Sequence, residues 1–333
     1  MSELPLVYLE FERPIAELDA KIVELARLAE TLQSAALDAE LGALRARVHE
    51  LRGRTYSGLS AWQKVQVARH PARPHFIDYL DALFDDFIEL RGDRRYGDDQ
   101  TIVGGLSTFR GRPVVVIGLE KGHDTLTRLK HNFGAARPEG YRKAVRLMDL
   151  AERFGLPVIS FADTAGAYPG AASEERGVAE AIARSIERGL SLGVANVAVI
   201  TGEGGSGGAL ALAAANRVLM LEHSVYSVIS PEGANSILWR GGRTPADAAS
   251  AMKITAHDLL ELGVVDRVVA EPAGGAHSDR DATVKSVGDA IEDELQALIG
   301  ISGPQLRRQR QKRFYAIGRS GSKPSPDCPP RGS

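Results

Sequence analysis

The chain has 333 residues, a formal net charge of −2, 44% hydrophobic and 25% charged residues, and one cysteine, Cys328. Near-neutral charge gives no global case for nucleic-acid or membrane binding, and a single cysteine excludes internal disulfides and any cysteine-cluster zinc site within the chain. No run of about 18 apolar residues suggests a membrane span, and Met1–Pro5 lacks the basic start and apolar core of a signal peptide, so the expected address is the cytoplasm.

Residues 14–54 read as helix. Ile15, Leu18, Ile22, Leu25, Leu28 and Leu32 recur at steps of three and four, and Leu41, Leu44, Val48 and Leu51 repeat the pattern after a short break. Such a stripe needs a cover, either this chain's own core or a second copy. His70-Pro71-Ala72-Arg73-Pro74 is expected to be extended, and Asp78–Leu90 reads as a further amphipathic helix. Thr101–Phe109 and Val114–Leu119 read as strands joined by a hairpin turn at Arg110–Pro113. Strands and helices then alternate. Helices are expected at 139–154, 174–192, 209–215, 256–262 and 284–298. Strands are expected at 157–162, 196–201, 217–221, 225–229 and 264–269. These strands are apolar enough to be buried on both faces, so the fold class is α/β. Residues 305–333 read as a solvated tail. Arg307, Arg308, Arg310, Lys312 and Arg313 cluster there before a Pro/Gly/Ser-rich end.

The densest signal is Gly202-Glu203-Gly204-Gly205-Ser206-Gly207-Gly208-Ala209, between an apolar strand and a helix. It satisfies three templates. Gly202, Gly204 and Gly207 match the dinucleotide fingerprint, with Glu222 placed as the ribose-binding acid. The segment back to Arg217 is short for the crossover that reading needs. Gly204–Gly208 also match a nucleophile elbow around Ser206, with Asp247, Asp258, Asp266, His223, His257 and His277 downstream. In the third template no side chain acts, and the amides of Gly207 and Gly208 at the helix start stabilise an oxyanion.

A second glycine-rich turn, Asp163-Thr164-Ala165-Gly166-Ala167-Tyr168-Pro169-Gly170, also follows an apolar strand. Two such turns on successive parallel strands would lie side by side at the ligand-binding edge of the sheet. Glu174 and Glu175 suit a helix N-terminus. Lys121, Arg128, Lys130, Arg142 and Lys143 are candidate contacts for a polyanion. His123 and His131 lack metal spacing, and Tyr168 and Trp239 read as packing residues or pocket lining.

These words, together with Arg69-His70-Pro71, Ile102–Gly105, Asn132–Gly134, Pro138–Lys143, Ile229–Gly233 and Ser236–Trp239, closely resemble the carboxyltransferase alpha subunits of bacterial acetyl-CoA carboxylase over roughly residues 8–300. Two departures are Ala165, where that family has Pro, and Ala234-Asn235, where it has Cys-Ala. Loss of the proline should loosen its turn slightly.

The resemblance implies a crotonase-like spiral of ββα units over residues 96–300, an N-terminal helical extension over 1–95, and a basic tail over 301–333. It implies carboxyl transfer from carboxybiotin, held on a separate biotin carboxyl carrier protein, to acetyl-CoA, giving malonyl-CoA. It further implies a biotin carboxylase partner and a beta subunit carrying a zinc ribbon, in an α2β2 assembly, with no cofactor bound covalently in this chain. On that reading Gly207 and Gly208 form the oxyanion hole. Gly204, Gly205, Ser206, Ala165, Gly166 and Tyr168 line the carboxybiotin pocket, and Lys121 and Arg128 contact CoA or the carrier. Two other readings stand beside it. One is a stand-alone acyl-CoA enzyme using Glu203 or Asp163. The other is a non-catalytic subunit binding nucleic acid through its basic tail.

Overall fold

The computed structural model describes residues 7–240 and 242–318. Two long helices come first, α1 (Arg13–Leu32) and α2 (Ala35–Ser57). Gln33, at a left-handed φ of 45°, breaks the run expected over 14–54. The pair bury Ile15, Ala29, Leu41 and Val48, while Val23, Leu28 and Leu32 stay exposed, so only part of the apolar stripe is covered within the chain. α3 (Ala61–Ala68) follows and had no strong sequence signal. Ser60 caps it, accepting from the Gln63 amide at 3.3 Å. Residues 70–74 make a turn rather than extended chain, with the Arg73 amide donating to the His70 carbonyl at 3.1 Å.

The helix expected over 78–90 is corrected. α4 (Phe76–Leu83) is short, and the chain continues as strand β1 (Phe84–Glu89). β1 pairs antiparallel with β2 (Ile102–Phe109), and this pairing supplies the backbone partners that override the helical spacing. A bulge between Asp85 and Ile88 twists this edge strand. β2 and β3 (Arg112–Leu119) form the expected hairpin. Its two loop residues, Arg110 and Gly111, both have positive φ, 48° and 77°, as the tight primed turn requires.

The remainder alternates: α5 (Thr125–Lys130), α6 (Pro138–Phe154), β4 (Val158–Thr164), α7 (Ala171–Glu175), α8 (Val178–Ser191), β5 (Asn196–Gly205), α9 (Ser206–Ala213), β6 (Arg217–Leu221), β7 (Val225–Ser227), α10 (Pro231–Trp239), α11 (Pro245–Met252), α12 (Ala256–Glu261), β8 (Arg267–Val269), α13 (Arg280–Leu298) and α14 (Gly303–Ala316). The sheet order is β1-β2-β3-β4-β5-β6-β8, with β7 added on the far end of β5. From β3 onward every pairing between neighbouring strands is parallel. α6, α8 and α9 cover one face around Leu147, Ile117 and Ile200, and α4 and α13 cover the other around Phe76, Phe161 and Ile291. Both faces are therefore buried, as the unbroken apolar strands anticipate.

The basic segment is not a solvated tail in the described residues. It forms α14, and Arg310 is fully buried. The Arg310 guanidinium donates to the carbonyls of Leu190, Leu192 and Val194 at 3.0, 2.8 and 3.2 Å. Arg307 pairs with Glu152 at 3.2 Å and Arg313 with Asp266 at 2.8 Å. Arg308 and Lys312 remain exposed. Cys328 and the Pro/Gly/Ser-rich end lie outside the described residues.

Candidate active site

The two glycine-rich turns do lie side by side, because β4 and β5 are adjacent and parallel. Their register runs Ala162↔Ile200 and then jumps to Thr164↔Gly204. β5 therefore bulges over Thr201–Glu203, and a bulge re-aims a side chain. Here it turns Glu203 toward the strand ends. The Glu203 amide donates to Asp163 Oδ1 at 2.8 Å, which pins the bulge to β4. Buried Arg73 holds it from beneath, donating to the Thr201 carbonyl at 2.8 Å while pairing with buried Glu271 at 2.8 Å. Burial alone would raise the Glu271 carboxyl. The Arg73 charge and its hydrogen bonds overcome that and hold it down at about 2.

Beyond the bulge the backbones touch. A Cβ on Gly205 would stand 2.3 Å from the Ala165 carbonyl, and one on Gly208 would stand 3.0 Å from the Ala167 amide nitrogen. Only glycine permits that approach. Ser206 starts α9 with a left-handed φ of 51°, and its N-cap, Gly205, supplies no side-chain acceptor. The first-turn amides of α9 are thus left without an intrahelical or side-chain partner, at the positive end of the helix dipole. The Thr164 hydroxyl closes the neighbouring turn. It accepts from the Gly166 amide at 3.0 Å and donates to the Gly166 carbonyl at 2.8 Å. That local lock stands where a proline at 165 would otherwise stiffen the chain.

Beside the turns lies a cavity of about 360 Å³ lined by Arg69, His75, Lys121, Arg128, Asp163 and Glu203, among others. Alternating charges ring it. Lys121 Nζ sits 2.6 Å from Asp163 Oδ1 and 3.2 Å from Glu203 Oε2. Arg69 bridges Glu203 at 2.7 Å and Glu232, at the start of α10, at 2.5 Å. Burial disfavours the Lys121 charge, but the two carboxylates outweigh it and its pKa is raised. Lys121 is therefore a neutralised linker between β3, β4 and β5. Arg128 donates to the Gly122 carbonyl at 3.3 Å and pairs with no carboxylate among the described residues. His75 stacks on His123 with ring centroids 4.3 Å apart, and burial pushes His75 down to about 4. No group of three or more His, Cys, Asp or Glu side chains among the described residues is placed to hold a metal ion.

The profile of a family described as acetyl co-enzyme A carboxylase carboxyltransferase-like matches residues 8–318. The chain belongs to that family. The carboxyl transferase subunit alpha of acetyl-coenzyme A carboxylase from Phenylobacterium zucineum is 68% identical over 314 residues, covering 94% of this chain and 98% of that relative. The corresponding subunit from Parvibaculum lavamentivorans is 60% identical over the same share of both chains. Among solved structures, a Pseudomonas malonate decarboxylase hetero-tetramer aligns over 72% of this chain and 94% of that one, with a TM-score of 0.56 and 17% identity. A transcarboxylase 12S chain aligns over 66% of this chain and 41% of that one, with a TM-score of 0.52 and 19% identity. These structural likenesses show the fold, which is crotonase-like.

Within this family member the other templates do not assemble. Ser206 is exposed and hydrogen-bonds no described side chain. His223 packs against Tyr56, His277 stacks on His70, and His257 faces Glu222. Asp247 and Asp258 lie at the starts of α11 and α12, and Asp266 pairs with Arg313. Glu222, the would-be ribose ligand, accepts from the Glu271 amide at 3.2 Å. Arg142 is taken by Asp93 at 2.8 Å, and buried Lys143 by Asp98 at 2.6 Å, so neither is a free cation. Tyr168 flanks the turn with the Arg137 guanidinium 5.0 Å from its ring. Sequence reasoning assigns no role to Arg69, Glu232 or Arg73, which the structure places in the charge network behind the site. Their partners lie more than a hundred residues away, and no local pattern signals such pairing.

Proposed function

We propose that this chain contributes one half of a carboxyl-transfer site, in which the amides of Gly207 and Gly208 meet the oxyanion that develops on the ureido oxygen of biotin as the carboxyl group departs. The observation that carries this is the start of α9, where close-packed glycines at the sheet's ligand edge leave the first-turn amides with no side-chain cap. Donors aimed at developing charge in a water-poor site are worth about 3–4 kcal/mol each in transition-state stabilisation.

Carboxybiotin is a substrate here, borne by a separate carrier protein. Ala165, Gly166 and Tyr168 on one turn and Gly204, Gly205 and Ser206 on the other line its pocket. Ser206 is a wall and not a nucleophile, since no base among the described residues hydrogen-bonds to it. Asp163 and Glu203, ion-paired with Lys121 and Arg69, serve to fix the loop. The second half of the site comes from a beta subunit with a zinc ribbon, which binds the thioester of acetyl-CoA, in an α2β2 assembly that yields malonyl-CoA. Biotin carboxylase recharges the carrier. Arg128, the cavity's unpaired guanidinium, meets a phosphate of CoA or an acidic residue of the carrier.

Reconstitution tests this. Purified chain is assayed, with and without a zinc-ribbon beta subunit, for carboxyl transfer from malonyl-CoA to biotin. Activity only in the pair is the expected result. Activity in the chain alone, or none in the pair, overturns the proposal.

A further inference from the structure

On another part of the surface, a loop between β1 and β2 is built around Asp93. Its Oδ1 accepts from the amides of Arg95, Tyr96 and Gly97 at 2.9, 2.8 and 3.0 Å, and its Oδ2 pairs with Arg142 of α6 at 2.8 Å. The Gly92 amide donates to Asp98 Oδ1 at 2.8 Å. The loop is therefore held firmly while it presents Arg94 and Arg95 outward. Both overlook a concave groove of about 460 Å³ walled by α6 and α8.

Five arginines line this groove, Arg94, Arg95, Arg142, Arg146 and Arg184, against three acids, Asp93, Asp149 and Glu180. Every acid is already engaged. Asp93 holds Arg142, Glu180 holds Arg184 at 2.9 Å, and Asp149 holds Arg188, outside the groove, at 2.6 Å. Arg146 spends its guanidinium on the carbonyls of Gly92, Leu90 and Arg91, and Arg94 reaches the Arg91 carbonyl at 2.8 Å. Among the described residues no carboxylate pairs with Arg94, Arg95 or Arg146. Arg146 feels the imbalance, its pKa lowered first by burial and then by the Arg94 charge.

We propose that this groove binds a small phosphorylated anion, at a site separate from the glycine loop and independent of its role. Guanidinium forks match phosphate oxygens in pairs, and a dianion would relieve the repulsion among three uncompensated cations. The volume falls within the roughly 300–1,000 Å³ of small-molecule pockets, and the cations are carried by helix α6 and by a loop that needs no further ordering. A concave pocket of this size favours a small ligand over a protein, which needs a broad face of about 800 Å².

Pyrophosphate is the probe. It is titrated into the full chain by calorimetry at constant ionic strength set with sodium chloride. Saturable one-to-one binding is expected, weakened about tenfold or more in Arg95→Ala and abolished in Arg95→Glu. Arg95 is exposed and makes no side-chain hydrogen bond among the described residues, so both variants should melt like the parent when unliganded. Absence of saturable binding, or an Arg95→Glu variant that titrates like the parent, overturns the proposal. An oligo-aspartate peptide that binds more tightly than pyrophosphate also overturns it, since it would make the partner an acidic protein segment.

Discussion

The end of α8 and the start of α9 treat their orphaned backbone groups in opposite ways. The last carbonyls around α8 receive hydrogen bonds from Arg310, a fully buried side chain sent across from α14. The first amides of α9 donate to no capping side chain among the described residues, and glycines let the neighbouring turn pack against them. Every helix leaves such groups unsatisfied. Filling them strengthens the fold, and leaving them open at a sheet edge keeps donors free for an anion.

Breaking the open end should have the largest effect. Gly208→Val would press its side chain against the Gly166–Ala167 backbone and block the approach to the amides. Carboxyl transfer with the partner subunit should fall by about 10²- to 10³-fold, the cost of one lost oxyanion donor. A fall of less than threefold would dissolve the contrast. At the closed end, Arg310→Met should lower unfolding stability by about 3 kcal/mol, because several buried carbonyls lose their donor. Its folded fraction should retain parental turnover, as read by denaturant unfolding alongside the assay.

Glu203→Gln tests the frame between the two. It keeps the shape of the side chain but removes the charge that Arg69 and Lys121 share. About a tenfold loss of turnover is expected, with stability reduced by about 1–3 kcal/mol. Turnover equal to that of the parent would mean the amides hold their aim without the network.

Acid titration addresses the loop of the arginine groove. Burial raises the Asp93 carboxyl, but Arg142 and three backbone amides overcome this and bring it down to about 2. A depressed carboxyl contributes stability that is fully present above its unfolded value of about 3.9 and is lost as pH falls through about 2. Asp93→Asn should therefore flatten the stability profile between about pH 4 and 2, followed by thermal melts. The smallest effect belongs to Ser206→Ala, which should change turnover by less than about threefold. A loss comparable to that of a triad nucleophile would restore the elbow reading.

Much of this was readable in one dimension. The hairpin at Arg110-Gly111, the β4 and β5 strands and both glycine turns are local patterns, and their chemistry follows from residue type and spacing. The 78–90 segment shows the limit. Leu80, Leu83, Phe84, Phe87 and Ile88 suit a helix, yet Phe84–Glu89 became a strand because β2 offered an open edge. The basic 307–313 cluster misled for a related reason. Charge patterning signals solvation, but it cannot reveal that the carbonyls at the end of α8 need a donor.

By itself the sequence determined the α/β alternation, the family and the glycines that let two loops meet, because each depends on short-range spacing or on extended likeness. Only the tertiary structure decided which charges are spent and which are free. Lys121 and Arg142 turned out to be neutralised by carboxylates, whereas Arg94 and Arg95 were not. An ion pair depends on distance in space, and that distance is set by the sheet register and helix packing that bring remote segments together.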